Sequence, residues 1–262
     1  MIEIMHDTEY LSQIHPDIRI YFRDLLRNAR AIAQSDAESF DEILFSLERL
    51  GCFLSKSKDG RLEKYLNLIS HIANNSPLAK DIPKKYPSYH TQFKILSDLV
   101  RESRNDAMHQ GAYARHLTNH AVQLCLVIED ALMTGNSSIT DYIVRNVIYA
   151  SIWQPLSFAR QQMLANSFSY LPLLRECNGT KEWHFLSDSS IAKYINKDRK
   201  TKLLNTIEEA IKDGLSTEKA DCFKSNEKVK DVLESFTGKP LIIIEDDRID
   251  TILGIVTAFD LL

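Results

Sequence analysis

The sequence predicts an all-α domain followed by an α/β domain, and three observations support this fold class. Apolar residues recur every three to four positions through the first half of the chain, which is typical of amphipathic helices. Short apolar runs typical of buried strands alternate with helical segments in the second half. The segment TGNSSITD at 134–141, rich in turn and capping residues, separates the two patterns and marks the predicted domain boundary.

The composition is that of an ordinary soluble globular protein. The chain has 262 residues, of which 44% are hydrophobic and 26% charged, and this length accommodates two domains with separate cores. We expect no membrane partner, because no apolar run approaches the length of a bilayer span and MIEIMHDTEY lacks the features of a signal peptide. The four cysteines form no C-x-x-C pair, which favours a reduced cytoplasmic protein without a zinc site. The net charge of -4 argues against a non-specific nucleic-acid coat.

The predicted elements follow in order from these patterns. In the first half the spacing predicts helices at 16–34, 39–54, 62–69, from 93 and at 117–133, with a proline-punctuated loop at 74–89. In the second half it predicts strands at 169–174, 182–187, 239–244 and 251–257. Helices are predicted between them at 157–166, 189–195, 200–212 and 227–236. Two units of helix, strand, turn and strand emerge, and these form an internal repeat.

The strongest chemical signal of the helical half is the run RESRNDAMHQGAYARH. Arg104, Asn105 and His109 place a guanidinium, an amide and an imidazole within two turns of one another. A fixed cation and a group that titrates near neutrality suit metal-independent cleavage of a phosphodiester. A second pair with the same spacing, Arg115 and His120, lies further into the next helix and is the weaker alternative. Both pairs could also be purely structural.

With this motif, residues 1–135 resemble the HEPN family of small helical bundles. Many of its members are ribonucleases marked by Arg, four residues, then His. Arg104 and His109 match this pattern, and Asn105 fits the polar residue that often follows the Arg. The resemblance implies a homodimer in which two motifs share one groove and cleave an RNA substrate without a metal. It makes Arg104, His109 and Asn105 the candidate catalytic residues.

The second repeat ends in GIVTAFD at 254–260, where an apolar strand precedes Thr257 and, three residues on, Asp260. With the repeat, this signature resembles a tandem pair of CBS domains over residues 142–262, divided at about 142–198 and 199–262. The resemblance implies an adenine nucleotide as regulatory ligand, with Thr257 near phosphate and Asp260 on the ribose hydroxyls. The first copy supplies Ser187 but has Ser190 where Asp is expected. The alternative is that Thr257 and Asp260 only cap a helix.

The two resemblances together predict a cytoplasmic, metal-independent endoribonuclease, of the toxin or defence-effector kind, regulated by ATP, AMP or a related nucleotide. No cofactor is expected for cleavage, and His184, like the histidines at 71 and 90, shows no ligand-type partner at metal-binding spacing. We expect Trp153 and Trp183 at the interface between the repeats or at the edge of a cleft. The alternative function is a non-catalytic nucleotide-sensing regulator whose helical half serves only for dimerisation or RNA binding.

Overall fold

The computed structural model describes the backbone of residues 7–57, 60–106, 111–196, 198–246 and 248–262. Within these ranges it describes the side chains except at 7–9, 37–38, 103–106 and 111–117. The chain divides into two compact units, Met1–Asn136 and Ser137–Leu262. No helix in the described ranges is both long and apolar enough to cross a bilayer.

The first unit is helical, as the periodicity predicts. The helix predicted at 16–34 is confirmed, and it begins where Pro16 occupies its first turn and the His15 side chain accepts a hydrogen bond from the Asp17 amide at 3.3 Å. The segment predicted as a loop at 74–89 contains one short helix. The described helices are α1 (Asp7–Ser12), α2 (Pro16–Ser35), α3 (Asp41–Ser55), α4 (Leu62–Ala73), α5 (Asp81–Lys85), α6 (Phe93–Asp106) and α7 (Gly111–Met133), with a 3-10 turn at Ala37–Phe40.

One buried apolar cluster holds the helical unit together. It includes Leu26 of α2, Leu47 of α3, Ile69 of α4, Leu96 of α6 and Ile128 of α7, all at most 1% exposed. These residues occupy the apolar stripes that the sequence periodicity predicts. Burial of these stripes against one another therefore accounts for the bundle.

A buried ion pair lies within this apolar core and joins α2 to α7. Arg30 donates from Nε and Nη2 to the two carboxylate oxygens of Glu129, at 2.9 and 3.0 Å. The hydrogen bond that Arg30 donates to Glu129 raises the pKa of Arg30, which keeps the guanidinium charged despite its burial. The bidentate geometry fixes how the two helices face each other.

The second unit contains six strands and five helices among its described residues, and the strands predicted from apolar runs are confirmed. The elements of its first half are α8 (Leu156–Asn166), β1 (Tyr170–Cys177), β2 (Thr180–Ser187), α9 (Asp188–Ile195), α10 (Arg199–Lys202) and α11 (Ile207–Lys212). Those of its second half are β3 (Glu218–Lys219), β4 (Cys222–Lys224), α12 (Val229–Glu234), β5 (Leu241–Glu245) and β6 (Arg248–Val256). Short 3-10 helices lie at Ile139–Asp141 and Ala258–Asp260.

The strands form two three-stranded sheets, in the orders β1-β2-β3 and β4-β5-β6. β1 and β2 are an antiparallel hairpin, as are β5 and β6, whereas β4 runs parallel to β5. One buried cluster brings together Trp183 and Phe185 of β2 with Ile242 and Ile244 of β5. The two sheets therefore pack against each other through alternate side chains of these strands.

The segment that leads into each repeat pairs with the last strand of the other repeat. Val144 forms an antiparallel bridge with Ile255 of β6, and β3 pairs with β2 at His184 and Phe185. Because each repeat completes the sheet of the other, neither presents a finished fold alone. The two copies therefore form one structural unit.

The same hydrogen bonds recur at the start of both repeats. The amide of Ile139 donates to the carbonyl of Glu227 at 3.1 Å, and the amide of Ile207 donates to that of Gln154 at 2.9 Å. A second matched pair at 2.9 Å joins the Val229 amide to the Ser137 carbonyl and the Leu156 amide to the Asn205 carbonyl. Ser137 and Asn205 therefore occupy equivalent positions in the two repeats.

The prediction of a single helix at 200–212 is wrong, because the structure has two helices there, α10 and α11. Thr206 starts the second one: its hydroxyl accepts from the Glu209 amide at 3.2 Å, and its own amide donates to the Glu209 carboxylate at 2.8 Å. This reciprocal cap begins a new helix within a segment whose periodicity looks continuous.

Candidate functional site

The predicted catalytic residues lie at the end of α6 and just beyond it. The backbones of Arg104 and Asn105 belong to the last turn of α6, but their side chains and the whole of His109 lie outside the described residues. On α7, the side chain of Arg115 also lies outside them, whereas His120 is described and is partly buried. The shared groove for RNA cleavage thus stays a prediction from the sequence.

A polar surface with a cavity lies one turn before Arg104 on the same helix. Arg101 forms ion pairs with Asp98 at 3.3 Å and with Glu63 of α4 at 3.4 Å. The three side chains line a cavity of about 370 Å³ together with apolar residues that include Phe93. Arg101 is therefore already paired with acidic groups. An Arg101 variant is a suitable control for experiments that test a catalytic role of Arg104.

Ser187 ends β2 and caps α9. Its hydroxyl accepts a hydrogen bond from the Ser190 amide at 3.1 Å, and the Ser190 hydroxyl donates to the Ser187 carbonyl at 2.8 Å. Both side chains are buried, at 4% and 8% exposure. In the first repeat these serines therefore provide hydrogen-bond partners for polar groups at the start of α9.

Thr257 and Asp260 take the equivalent place at the end of β6. The amide and the hydroxyl of Thr257 both donate to Asp260 Oδ2 at 2.8 Å, and Asp260 is only 8% exposed. This is the geometry of a capping box at the start of the 3-10 helix Ala258–Asp260. A ribose bound by Asp260 would have to compete with Thr257 for the carboxylate, so ligand binding by these residues stays a prediction.

A cavity of about 480 Å³ lies between the two repeats, and three aromatic side chains contribute to its wall. Both tryptophans of the chain line it, as the sequence leads us to expect. Trp153 is 70% exposed, whereas Trp183 is 3% exposed and donates from its indole to the Ile249 carbonyl at 2.6 Å. The ring of Tyr149 meets that of Trp183 edge to face, with centroids 6.1 Å apart. The cavity therefore has one exposed aromatic wall at Trp153 and one buried, hydrogen-bonded wall at Trp183.

Charged groups lie at the edge of this inter-repeat cavity. Asp250 lines it and accepts a hydrogen bond from Lys181 at 3.1 Å. The hydrogen bond and charge of Lys181 lower the pKa of Asp250, so the carboxylate is ionised at neutral pH. A smaller cavity of about 300 Å³ lies beside it. Among the described residues, the predicted nucleotide-binding residues Ser187, Thr257 and Asp260 line neither cavity.

Sequence reasoning missed a cluster of possible metal ligands on the β1–β2 hairpin. The Cys177 sulfur lies 3.8 Å from Nε2 of His184, and a Glu182 carboxylate oxygen lies 3.9 Å from the same nitrogen. The three ligand atoms all lie within 4.8 Å of one another. The expectation that His184 has no ligand-type partner is therefore wrong. The available signal was the Asn178-Gly179 turn, which brings alternate residues of CNGTKEWH to one face.

Solved structures that resemble the chain include CBS-domain proteins, and the three described here each match about half of it. A CBS-domain containing protein from Agrobacterium tumefaciens is 13% identical with a TM-score of 0.37, covering 48% of this chain and 92% of its own. A conserved CBS-domain protein of unknown function from Thermoplasma acidophilum is 22% identical with a TM-score of 0.36, covering 47% and 66%. A hexameric CBS-CP12 protein from bloom-forming cyanobacteria is 13% identical with a TM-score of 0.37, covering 47% and 68%. No protein-family model and no curated protein matches the chain.

Proposed function

We propose that the C-terminal unit is a nucleotide-sensing module and that the helical unit is the effector it regulates. The observation that carries the proposal is the inter-repeat cavity, where exposed aromatic rings adjoin a charged edge. A nucleobase has flat faces that stack on rings such as Trp153 and Tyr149. The Asp250 carboxylate suits the vicinal hydroxyls of a ribose, and Lys181 suits a phosphate. The rings, the carboxylate and the ammonium group therefore together offer partners for a base, a ribose and a phosphate.

The CBS resemblance favours adenine as the base, since stacking alone accepts any base. The same resemblance assigns Thr257, Asp260 and Ser187 to the ligand, although they lie outside the cavity wall. We therefore carry two placements of the nucleotide in one unit: the aromatic cavity, which the geometry favours, and the capped ends of β6 and β2. Variants of Asp250 and Asp260 distinguish them.

Intrinsic fluorescence tests the first placement directly, because the only two tryptophans of the chain both line the cavity. We expect AMP, ADP or ATP to quench the fluorescence of the full chain in a saturable way. Trp153→Ala should weaken binding about 10-fold or more, since a stacked base contributes about 1–3 kcal/mol. Phe168→Ala, which removes another exposed ring of this unit that lines neither cavity, is the matched control and should leave the affinity within about twofold.

Calorimetric titration of two aspartate variants decides between the placements. If the aromatic cavity binds the ribose, Asp250→Asn weakens binding and Asp260→Asn leaves it unchanged. The reverse result would move the nucleotide to the end of β6, where the resemblance puts it. The absence of both heat and quenching with every adenine nucleotide at millimolar concentration would refute a nucleotide-sensing role.

For the effector we propose metal-independent cleavage of RNA, which rests on the sequence resemblance at Arg104, Asn105 and His109. The 2′-hydroxyl of the RNA attacks the adjacent phosphorus while His109 accepts its proton, and an imidazolium then protonates the departing 5′-oxygen. Arg104 donates hydrogen bonds to the phosphoryl oxygens as negative charge develops. Asn105 positions the phosphate or the imidazole. The products are a 2′,3′-cyclic phosphate and a 5′-hydroxyl.

RNA cleavage in the presence of EDTA tests this proposal. We expect Arg104→Ala and His109→Ala to lose at least 100-fold in rate with the fold and homodimer retained, because proton transfer and charge stabilisation each contribute about that much. Arg101→Ala is the matched control, since this neighbouring cation is already paired with Asp98 and Glu63. Loss of cleavage in Arg115→Ala or His120→Ala instead would assign the activity to the second motif.

The two halves of the proposal fail separately. If purified chain binds a nucleotide but cleaves no RNA, the function becomes that of a non-catalytic regulator whose helical unit dimerises or binds RNA. If it cleaves RNA at a rate that no adenine nucleotide changes, the sensor does not control the nuclease. Regulation requires the nucleotide to bind two states of the protein with different affinities.

A further inference from the structure

We propose that Cys177, Glu182 and His184 form a binding site for one transition-metal ion of the Zn²⁺ class. The three residues lie on one face of the β1–β2 hairpin, because Cys177 pairs with Thr180 and alternate positions of paired strands share a face. Thiolate, imidazole and carboxylate are the three ligand types that Zn²⁺ takes in proteins. This site is separate from the inter-repeat cavity, since Trp183 lies on the opposite face of β2.

The distances are close to those that a bound ion needs. Tetrahedral Zn²⁺ with ordinary bond lengths places its nitrogen and sulfur ligands about 3.6 Å apart and its nitrogen and oxygen ligands about 3.4 Å apart. The corresponding distances here are 3.8 Å from His184 Nε2 to Cys177 Sγ and 3.9 Å from Nε2 to the Glu182 oxygen. These two distances need to shorten by a few tenths of an ångström, and the separation of the Cys177 sulfur and the Glu182 oxygen, which is at most 4.8 Å, by up to about 1 Å, which side-chain rotation can supply.

A second layer of contacts orients the imidazole for this role. The Thr217 hydroxyl lies 3.3 Å from His184 Nδ1 and accepts a hydrogen bond from Arg175 at 2.6 Å. A hydroxyl oxygen has two lone pairs, so it can also accept the Nδ1 proton of His184. In that tautomer the lone pair of Nε2 points toward Cys177 and Glu182. Metal-bound histidines are held by their second nitrogen in this way.

Glu182 can bind a metal without losing its existing ion pair. Lys219 contacts Oε1 at 3.0 Å, whereas it is Oε2 that faces His184. Lys219 thus holds the carboxylate in place and leaves one oxygen for the ion. Cys177 and Glu182 are partly exposed while His184 is buried, so an ion can enter from solvent. Three protein ligands leave the fourth position to water or an added ligand.

Cobalt(II) titration of the full, metal-stripped chain tests the site, because a cobalt–thiolate bond absorbs in the near ultraviolet. We expect this band to saturate at one Co²⁺ per chain and to disappear when Zn²⁺ is added in competition. Cys177→Ser should abolish the band, and His184→Gln should weaken binding at least 10-fold. Thr217→Val should keep the band but weaken binding about 10- to 100-fold, which is the usual effect of losing the partner of a metal-bound histidine.

Cys222→Ser is the matched control, because it removes another partly buried cysteine of the same unit and should leave the band intact. Circular dichroism of each variant shows whether the fold is retained. A band that survives Cys177→Ser, or the lack of stoichiometric binding at millimolar Co²⁺ and Zn²⁺, would overturn the proposal. Nucleotide quenching of the tryptophans is unaffected in either case, so this test is independent of the sensor proposal.

Discussion

At the scale of single residues, the two cysteines of the C-terminal unit differ in what surrounds them. Cys177 faces a histidine and a carboxylate near the turn of the β1–β2 hairpin. Cys222 begins β4 beside the apolar cluster between the sheets, and burial raises the pKa of its thiol to about 11. Reactivity at neutral pH depends on the thiolate. Cys222 is therefore suited to packing and Cys177 to chemistry.

This difference predicts a pH dependence for Cys222. At pH 8 a thiol of pKa 11 has on the order of 100-fold less thiolate than one of pKa 9, so alkylation by iodoacetamide should be correspondingly slow in the folded chain and normal in guanidinium. Mass spectrometry of the Cys222 peptide measures both rates. Because the folded pKa lies above the unfolded value, its stabilising contribution is complete below pH 9 and falls as the pH rises toward 11. Equal rates in the folded and unfolded states would contradict the burial.

At the scale of elements, the hairpin β1–β2 shows how local sequence sets a site. Asn178 and Gly179 both have positive φ, at 52° and 80°, which is the backbone of a two-residue type I′ turn. The turn fixes the pairing of Cys177 with Thr180 and thereby the register of all eight pairs. One face then packs Leu171 and Leu173 against helices, and its far end presents the polar ligands.

The contact between α2 and α7 depends on the buried pair Arg30–Glu129. Glu129→Ala leaves the guanidinium of Arg30 uncompensated in the core, so we expect the free energy of unfolding to fall by about 3–5 kcal/mol. Chemical denaturation followed by circular dichroism measures this change. Glu63→Ala removes an exposed partner of Arg101 and should cost less than about 1 kcal/mol. Similar losses in both variants would mean that the buried pair has no special role.

At the scale of the whole molecule, each unit has its own apolar core. The buried cluster of the first unit spans Leu11 to Leu132, and those of the second lie between Ile139 and Val256. Within the second unit, the segment that leads into each repeat pairs with a strand of the other repeat. Residues of both repeats also pack into one buried cluster. Folding should therefore be cooperative across both repeats and separable from the bundle.

This arrangement predicts that residues 137–262 fold when expressed alone. Both tryptophans lie in this fragment, so its denaturation and its nucleotide quenching can be compared directly with those of the full chain. We expect one cooperative transition and a nucleotide affinity within about twofold of the full chain. A shorter fragment that ends at residue 204 lacks β3, which pairs with β2, and should fail to fold cooperatively. A folded 137–204 fragment would contradict this role of the pairing between the repeats.

The sequence by itself indicated the fold class, a boundary within residues 134–141 and the positions of the longer strands and helices. Periodicity and turn residues specify these features locally, which is why four of the six described strands and most helices were predicted correctly, whereas the short strands β3 and β4 were not predicted. The prediction of one continuous helix at 200–212 was wrong, because the capping signature of Thr206 and Glu209 starts a new helix within a continuous apolar pattern.

Only the tertiary structure decided which distant residues meet. It brought Trp153 and Asp250 to one cavity and joined Arg30 to Glu129 in the core. It also placed the Thr217 hydroxyl within hydrogen-bonding distance of His184. The physical reason is that an apolar pattern specifies which face of an element is buried, not which face of another element covers it. That choice depends on the shapes and polar groups of the whole core, and it became visible only in three dimensions.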